Sequence, residues 1–357
     1  MTHWQQVNFL DELNKMGHNV QIVDVGYFEL TDSILNKLKV CFASFKPALF
    51  MTACDDKVLN SSIFDEIYKN STPSLLICFD NLSVPFKHKK CSQYFDLVWL
   101  TSIETKYLFD KWGARTIFLP YAANPDYYLP VNGAEKNIVS FVGTCYGVRR
   151  KKIETLLDHG IPVELHGGND LANEQVNPAA NAVKNLRSSI ERTYDLCTFP
   201  IGRKALYGAL IKSISRDSGQ FSKEFGLLLQ ARKSLSFSEM SEMYSRSSIS
   251  LGVSELWNTY YLKEPVHKVH LRSFEIPMSG GLQLASKTNE MLSYFEEDNE
   301  AIYYTTKEEM VDKVRFYLKD NNYKLREKIK LRARKRAEEC HTWKHRFQFV
   351  FNELQLI

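Results

Sequence analysis

The 357-residue chain has no uninterrupted apolar run of about 18 residues, so no stretch of it is built to cross a membrane as a helix. Its opening, MTHWQQVNFLDELNKMGHNV, lacks the basic start and continuous apolar core of a secretory signal. Cysteine never recurs as C-x-x-C. The seven copies are an odd, scattered set that reads as buried free thiols in a reducing compartment and gives no zinc site. Charge of one sign is also scarce: the formal excess is only +4, which by itself does not call for nucleic acid. The expected location is the cytoplasm, with peripheral contact at the inner face of a membrane left open. What is present suits a soluble globular protein, 44% hydrophobic and 25% charged, and long enough for two domains with their own cores.

The first part alternates helix and strand. Val7, Leu10, Leu13 and Met16 recur at helical spacing before Gly17, and a short β-rich run follows at 20–25. Apolar runs at 48–53, 74–80, 97–102 and 115–122 are separated by helical stretches near 34–45, 63–69 and 104–113. Continuous apolar strands joined by amphipathic helices predict a parallel sheet covered on both faces. A doubly wound unit normally opens on a strand, whereas this chain opens inside a helix. Either a strand and loop lie upstream of this sequence or the sheet is rearranged, and the first is the expectation.

Residues 123–137 are polar, with turn residues and two prolines, and predict a linker. Beyond it, NIVSFVGTCYGVRRKKIETLLDHGIPVELHGG predicts strand, glycine turn, helix and strand. Gly143 and Gly147 loosen the turn, Thr144 in it is a candidate nucleotide-sugar contact, and Arg149 and Arg150 stand where a helix begins. Backbone N–H groups and guanidinium at such a place suit a phosphate; solvated basic residues are the alternative. Gly167 and Gly168, after the next strand, permit close backbone approach. Residues 169–233 break the rhythm and predict a helical insertion. The rhythm resumes with Ser236 and Glu239 as a capping box, strands at 249–254, 282–285 and 301–304, and a second capping box at Thr306 and Glu309.

Inside this part, HLRSFEIPMSGG sets Arg272, Ser273 and Glu275 at a helix start, with Gly280–Gly281 at its end. The stretch from His270 to Leu318, followed by AEECHTWKHRF, resembles the C-terminal domain of spore-maturation-type (CgeB-like) glycosyltransferases. These belong to the GT-B class related to retaining glycosyltransferase family 4. The resemblance runs from about Asn137 to the end, minus the insertion, with weaker support from Met16-Gly17-His18-x-Val20. It implies an α/β protein of GT-B architecture: two Rossmann-like domains facing across a cleft, with a helical insertion in the C-terminal one. The implied domains are an N-terminal acceptor-side domain over 1–130, a nucleotide-sugar domain over 131–340, and a C-terminal helix at 341–357 crossing back.

By that resemblance Glu275 matches the glutamate that takes the donor ribose hydroxyls, and an ionised carboxylate can accept from a vicinal diol. A solvated carboxylate at a helix N-terminus is the alternative. Retaining relatives often carry a second glutamate with seven residues between the two; here that position is His267, which contacts the sugar or a phosphate or is a plain loop histidine. The leaving diphosphate would be met by Arg149, Arg150, Arg272 and the N–H groups near Ser273. Phe237 flanks the base or packs in the core.

Asp80 ends a buried strand where ligands gather in open α/β sheets, and is the candidate base for an inverting reaction. An Asx turn explains it as well. Asp55–Asp56 suit a loop better than a metal, no D-x-D stands in strand context, and no metal site or cofactor is expected beyond a UDP- or GDP-sugar donor. Lys87, His88, Lys89 and Lys90 read as a solvated loop or as a contact for an anionic lipid-linked acceptor or membrane surface. In YKLREKIKLRARKRAEEC, Leu325, Ile329, Ala333 and Ala337 fall four apart, so one face packs and the basic faces are solvated. The expected function is transfer from a nucleotide-sugar to a glycan, glycolipid or protein acceptor. The alternatives are a catalytically silent nucleotide-sugar-binding or scaffold protein and an epimerase of the same fold.

Overall fold

A computed structural model describes residues 2–25, 31–145, 147–167, 189–215 and 222–356. The chain divides into two compact units: Met1–Tyr121 with Trp343–Ile357, and Ala122–Thr342.

The first unit is built on four parallel strands in the order β1 (Phe50–Thr52), β2 (Ser74–Cys78), β3 (Leu97–Leu100), β4 (Thr116–Phe118). Every residue of β2 and β3 is buried, as expected of a sheet covered on both sides. The helix Thr31–Phe45 lays Ile34, Leu38 and Phe42, each four apart, on the core. The helix Ser61–Lys69 starts where the Asn60 side chain accepts from Ile63 N, and it buries Ile63, Phe64 and Ile67. At the N-terminus helix runs from His3 to Lys15, with a π-helical stretch at Gln6–Leu10, and ends at Gly17 with φ +88°.

The β-rich run at 20–25 forms no strand. Val23 and Val25 do pack against the apolar core, but Lys37 Nζ donates to the Asp24 carbonyl at 3.0 Å, and no ladder forms. Apolar residues alone do not make a strand without a partner edge in register.

The carboxyl ends of β2 and β3 are tied by Asn81, which is fully buried. Its Nδ2 donates to Ser102 O and Thr105 Oγ1 at 2.6 and 2.7 Å, while its Oδ1 accepts from the N–H of Thr101 and Ser102. The terminal helix Trp343–Glu353 belongs to this unit. Trp343 meets Trp4 and Trp99 at ring distances of 5.4 and 6.1 Å, and Phe347 meets Phe9 at 5.3 Å. Arg346 donates to the carbonyls of Pro120 and Tyr121 at 3.0 and 3.1 Å.

The second unit has five parallel strands in the order β6-β5-β7-β8-β9, where β5 is Lys136–Val142, β6 Val163–His166, β7 Ser247–Gly252, β8 Gln283–Ser286 and β9 Ile302–Tyr304. The strand order reverses between β5 and β7. In open parallel sheets the crevice beyond the carboxyl ends at such a reversal is where ligands bind.

The helix Phe237–Arg246 carries the expected capping box, Ser236 with Glu239. At the helix Lys307–Tyr317, Thr306 caps Glu309 N, but the Glu309 carboxylate turns to Thr305 N and Oγ1 instead. The segment 123–137 is packed rather than loose: Asn124 and Tyr128 are buried, and Ala123 N donates to His341 O at 3.1 Å. In the helix Tyr323–Cys340 the apolar face packs, yet two basic residues are buried with it. Arg326 and Lys330 converge on Glu135 at 2.6 and 3.1 Å, so their charge is paired inside the unit rather than solvated. Among the described residues no helix is long and apolar enough to cross a membrane.

Candidate functional site

The loops beyond β5 and β7 carry the charged groups. After β5 the chain turns at Gly143, with φ +143°, and enters the helix Val148–Asp158 through Gly147. After β7 it runs through Ser254–Leu256, leaves on an excursion through Trp257–Tyr261, and returns antiparallel. Leu256 N donates to Val266 O and Lys268 N to Ser254 O, both at 2.7 Å. That return delivers His267, Lys268 and His270 to the head of the helix Arg272–Met278.

Three cations meet there. Arg149 Nη1 donates to Thr144 O at 2.9 Å, and its Nη2 lies 3.5 Å from His270 Nε2. The Arg272 guanidinium lies over the Phe141 ring at 5.3 Å and against Gly143, where an added Cβ would sit 2.9 Å from Arg272 Cζ. Lys268 is the third, and both it and Arg149 are buried. Burial pushes the His270 pKa well below the ordinary value, and Arg272, Arg149 and Lys268 push it the same way. A neutral imidazole thus sits among positive charges, a local field suited to a polyanion. Gly167 lies so close to Gly143 that an added Cβ would be 2.5 Å from Gly143 O, so the two strand ends touch backbone to backbone.

The remaining residues singled out from the sequence fall in several places. Glu275 is buried and accepts from Tyr128 OH at 2.7 Å; burial raises its pKa against the lowering effects of Tyr128 and Arg272. Phe237 stacks edge-on against Tyr128 at 5.6 Å, so Phe237, Tyr128 and Glu275 form one cluster. The N–H groups of Ser273, Phe274 and Glu275 already donate to His270 and Leu271 carbonyls at 2.9–3.0 Å. The N–H groups that the sequence suggested for a phosphate thus already have partners within the turn. Arg150 turns to Glu154, at 3.1 Å, and to the Phe225 ring, apart from this cluster. Gly168 lies outside the described residues.

In the first unit Asp80 is exposed just beyond β2, its carbonyl accepting from Ser83 and Val84 N. Asp56 accepts from the N–H groups of Lys90 and Cys91 at 2.9 Å and so orders the basic loop, in which Lys87, Lys89 and Lys90 are exposed and His88 is buried. Burial lowers the His88 pKa. This unit also holds an apolar cavity of about 350 Å³, bordered by Val23, Val25, Phe42, Phe50 and Phe351.

Sequence reasoning missed Lys268, His270, Tyr128 and a buried ion pair. Lys152 Nζ donates to the Glu255 carboxylate, to Ser286 Oγ at 3.1 Å and to Tyr304 OH at 2.7 Å. Burial opposes both charges, but each partner outweighs it: the Lys152 pKa is raised and the Glu255 pKa lowered. Glu255 faces His267 across the antiparallel return, and Ser254 Oγ meets His267 Nδ1 at 2.8 Å. Glu255, twelve residues upstream, thus pairs with His267 through the backbone while Lys152 holds its carboxylate. Burial lowers the His267 pKa, against the raising effect of Glu255.

Residues 192–352 match a protein family described as glycosyl transferase-like. In sequence, no curated protein matches the chain. Solved structures do match in fold. Anabaena Alr3699/HepE in complex with UDP and glucose aligns at a TM-score of 0.57 and 13% identity, over 98% of this chain and 89% of that one. A glycosyltransferase from Rickettsia africae gives 0.56 and 11%, over 97% and 87%. Sucrose-phosphate synthase from Thermosynechococcus elongatus gives 0.54 and 15%, over 93% and 81%. The fold is GT-B, with two Rossmann-like α/β domains, and its second unit contains most of the glycosyl transferase-like region.

Proposed function

We propose that the chain is a glycosyltransferase of the CgeB-like type that moves a sugar from a nucleoside-diphosphate sugar to a glycan, lipid-linked or protein acceptor. The observation that carries this reading is the gathering of Arg149, Arg272 and Lys268 around neutral His270, beyond the strand ends where the sheet order reverses. Departure of a nucleoside diphosphate builds negative charge on the phosphates, and fixed cations in a buried setting stabilise that charge most. In this reading no metal is required. Glu275 accepts from the ribose hydroxyls, which take over the place of Tyr128 OH, and Phe237 borders the base. His267, backed by Glu255, touches the sugar. Uracil is the first base to test, because HepE, similar in fold, was solved with UDP-glucose. Asp80 is the assigned base if the anomeric configuration inverts; full transfer by Asp80→Asn removes that assignment, and the anomeric configuration of the product, read by NMR, decides between inversion and retention.

The test is a panel of UDP- and GDP-sugars read by calorimetry, followed by detection of free UDP or GDP with and without acceptor extracts. Binding of one donor and its slow hydrolysis are expected. A second reading, a silent nucleotide-sugar binder, is favoured by His267 standing where relatives carry glutamate; binding without any turnover establishes it. Absence of binding by every nucleotide in the panel overturns both.

A further inference from the structure

The apolar cavity of the first unit has the outline of a single strand. Every position from Pro47 to Thr52 borders it. Side chains alternate between the faces of a strand, so a space that touches each position in turn lies along the strand's edge and not over one face. β2 takes the other edge of β1, where Phe50 N donates to Pro73 O at 2.8 Å. Leu49 and Met51 therefore turn their N–H and C=O groups towards the cavity. Its far side is bordered by Val20, Gln21, Val23 and Val25, which join no ladder among the described residues.

Helices close the space on both faces of the sheet. Leu38 and Phe42 come from the helix Thr31–Phe45, which packs on the face carrying Leu76 and Cys78. Phe351 comes from the terminal helix, whose Trp343 and Phe347 meet Trp99 on the opposite face. No Asp, Glu, Lys or Arg borders the cavity. These boundaries select the occupant. An acyl chain would fill the apolar space but leave the backbone groups of Leu49 and Met51 buried without partners. A peptide strand satisfies them and gives apolar side chains to both helical layers. The runs at 74–80, 97–102 and 115–122 already supply β2, β3 and β4. A second copy fits poorly, because its own run VQIVDV would bring Asp24 into an uncharged space.

We infer that a partner protein donates one extended apolar segment to this slot. The segment pairs with β1 along its open edge and draws the 20–25 run into the sheet on its other side. The inference does not rest on the glycosyl-transfer reading, since none of the groups assigned to the donor borders the cavity.

Hydrogen exchange of the full chain, read by mass spectrometry, tests it with a synthetic peptide, Val-Leu-Val-Ile-Val flanked by lysines. Without peptide, the amides of 18–25 and 48–52 should exchange much faster than those of Leu75–Cys78. At saturating peptide they should slow by about tenfold or more. The same peptide with a proline pair at its centre stays apolar but cannot pair, and should protect neither segment. Sodium laurate should protect neither as well. Cys41 borders the slot from the helix Thr31–Phe45, so Cys41→Trp should fill it. That variant should keep at least the wild-type urea midpoint and lose the protection given by the peptide. No protection by the peptide, equal protection by the proline peptide or by laurate, or unchanged protection in Cys41→Trp overturns the inference. So does slow exchange of both segments before any peptide is added, whether in a monomer or in a dimer.

Discussion

Gly143→Ala isolates what the glycine beyond β5 does. Two effects are expected, and they separate. The first is backbone strain: φ is +143°, and an L side chain held in so sparsely populated a region costs about 1–3 kcal/mol. The second is displacement. The new Cβ would lie 2.9 Å from Arg272 Cζ and closer still to one guanidinium nitrogen, so the guanidinium must swing off Gly143. Because the moving group is the far end of a flexible side chain, that swing adds little to the loss of stability. It does remove the cation from its place beside His270. A hydrogen bond to a charged group contributes about 1.5–3 kcal/mol, so affinity for UDP should fall by about ten- to a hundredfold.

Two further glycines act as controls. Gly160, at φ +69°, has open space around its Cβ position, so Gly160→Ala should lose about 1–2 kcal/mol of stability and bind UDP normally. At Gly167 the Cβ would press on Gly143 O at 2.5 Å, backbone against backbone with no flexible end to yield, so Gly167→Ala should be the least stable of the three. Urea unfolding followed by tryptophan fluorescence reads the stability, and titration calorimetry with UDP reads the affinity. If Gly143→Ala binds UDP as tightly as Gly160→Ala does, the Arg272 guanidinium is not part of the anion site.

Glu135→Ala strands Arg326 and Lys330 inside the second unit and should destabilise it by about 3–5 kcal/mol in urea. Burial opposes the Glu135 charge, but Arg326 and Lys330 outweigh it and hold the pKa below 4.5, so this contribution is complete above the unfolded value. It is lost as pH falls through the folded one, and an acid titration of wild type and variant should converge there. For Glu275 the sign is reversed. Its raised pKa means that ionisation weakens the fold as pH rises from the unfolded value of about 4.5 through the folded one, so Glu275→Gln should melt higher at neutral pH. The same variant should bind UDP at least about tenfold more weakly through the lost ribose contact; tight UDP binding would remove Glu275 from the site. Lys152→Met leaves Glu255 buried and unpaired, a loss of about 3–5 kcal/mol, and adding Glu255→Gln should restore a large part of it in a double-mutant cycle.

The parallel sheets were legible because runs such as Leu75–Cys78 and Leu97–Leu100 are apolar on every residue, a pattern only a doubly covered sheet demands. The run at 20–25, VQIVDV, is β-rich without being apolar throughout and misleads, since strand formation depends on a partner edge that sequence pattern does not display. Ser236 and Glu239 were legible as a cap because their geometry is local, whereas the choice of Thr305 over Thr306 by Glu309 depends on how the preceding strand delivers the chain. In the candidate site Arg149, Arg272 and Gly143 stood out by their positions at strand-to-helix turns. Lys268 and His270 did not, because they reach the site only through the antiparallel return after Trp257–Tyr261. Glu255 was hidden for the same reason, its relation to His267 being one of pairing across a loop rather than of spacing along a helix. Tyr128 lay in a segment whose prolines and polar residues resemble a linker, and only packing reveals that it reaches Glu275.

The split of the first unit between Met1–Tyr121 and Trp343–Ile357 makes its core depend on two distant pieces of the chain. The second unit is continuous from Ala122 to Thr342, whereas the first is complete only once Trp343–Ile357 has followed it. Until Trp343 and Phe347 are synthesised, Trp4, Phe9 and Trp99 lack the rings that the terminal helix packs on them, and part of an aromatic cluster stays open. A chain ending before Trp343 would therefore leave Trp4, Phe9 and Trp99 without two of the aromatic rings that pack on them, however complete its second unit.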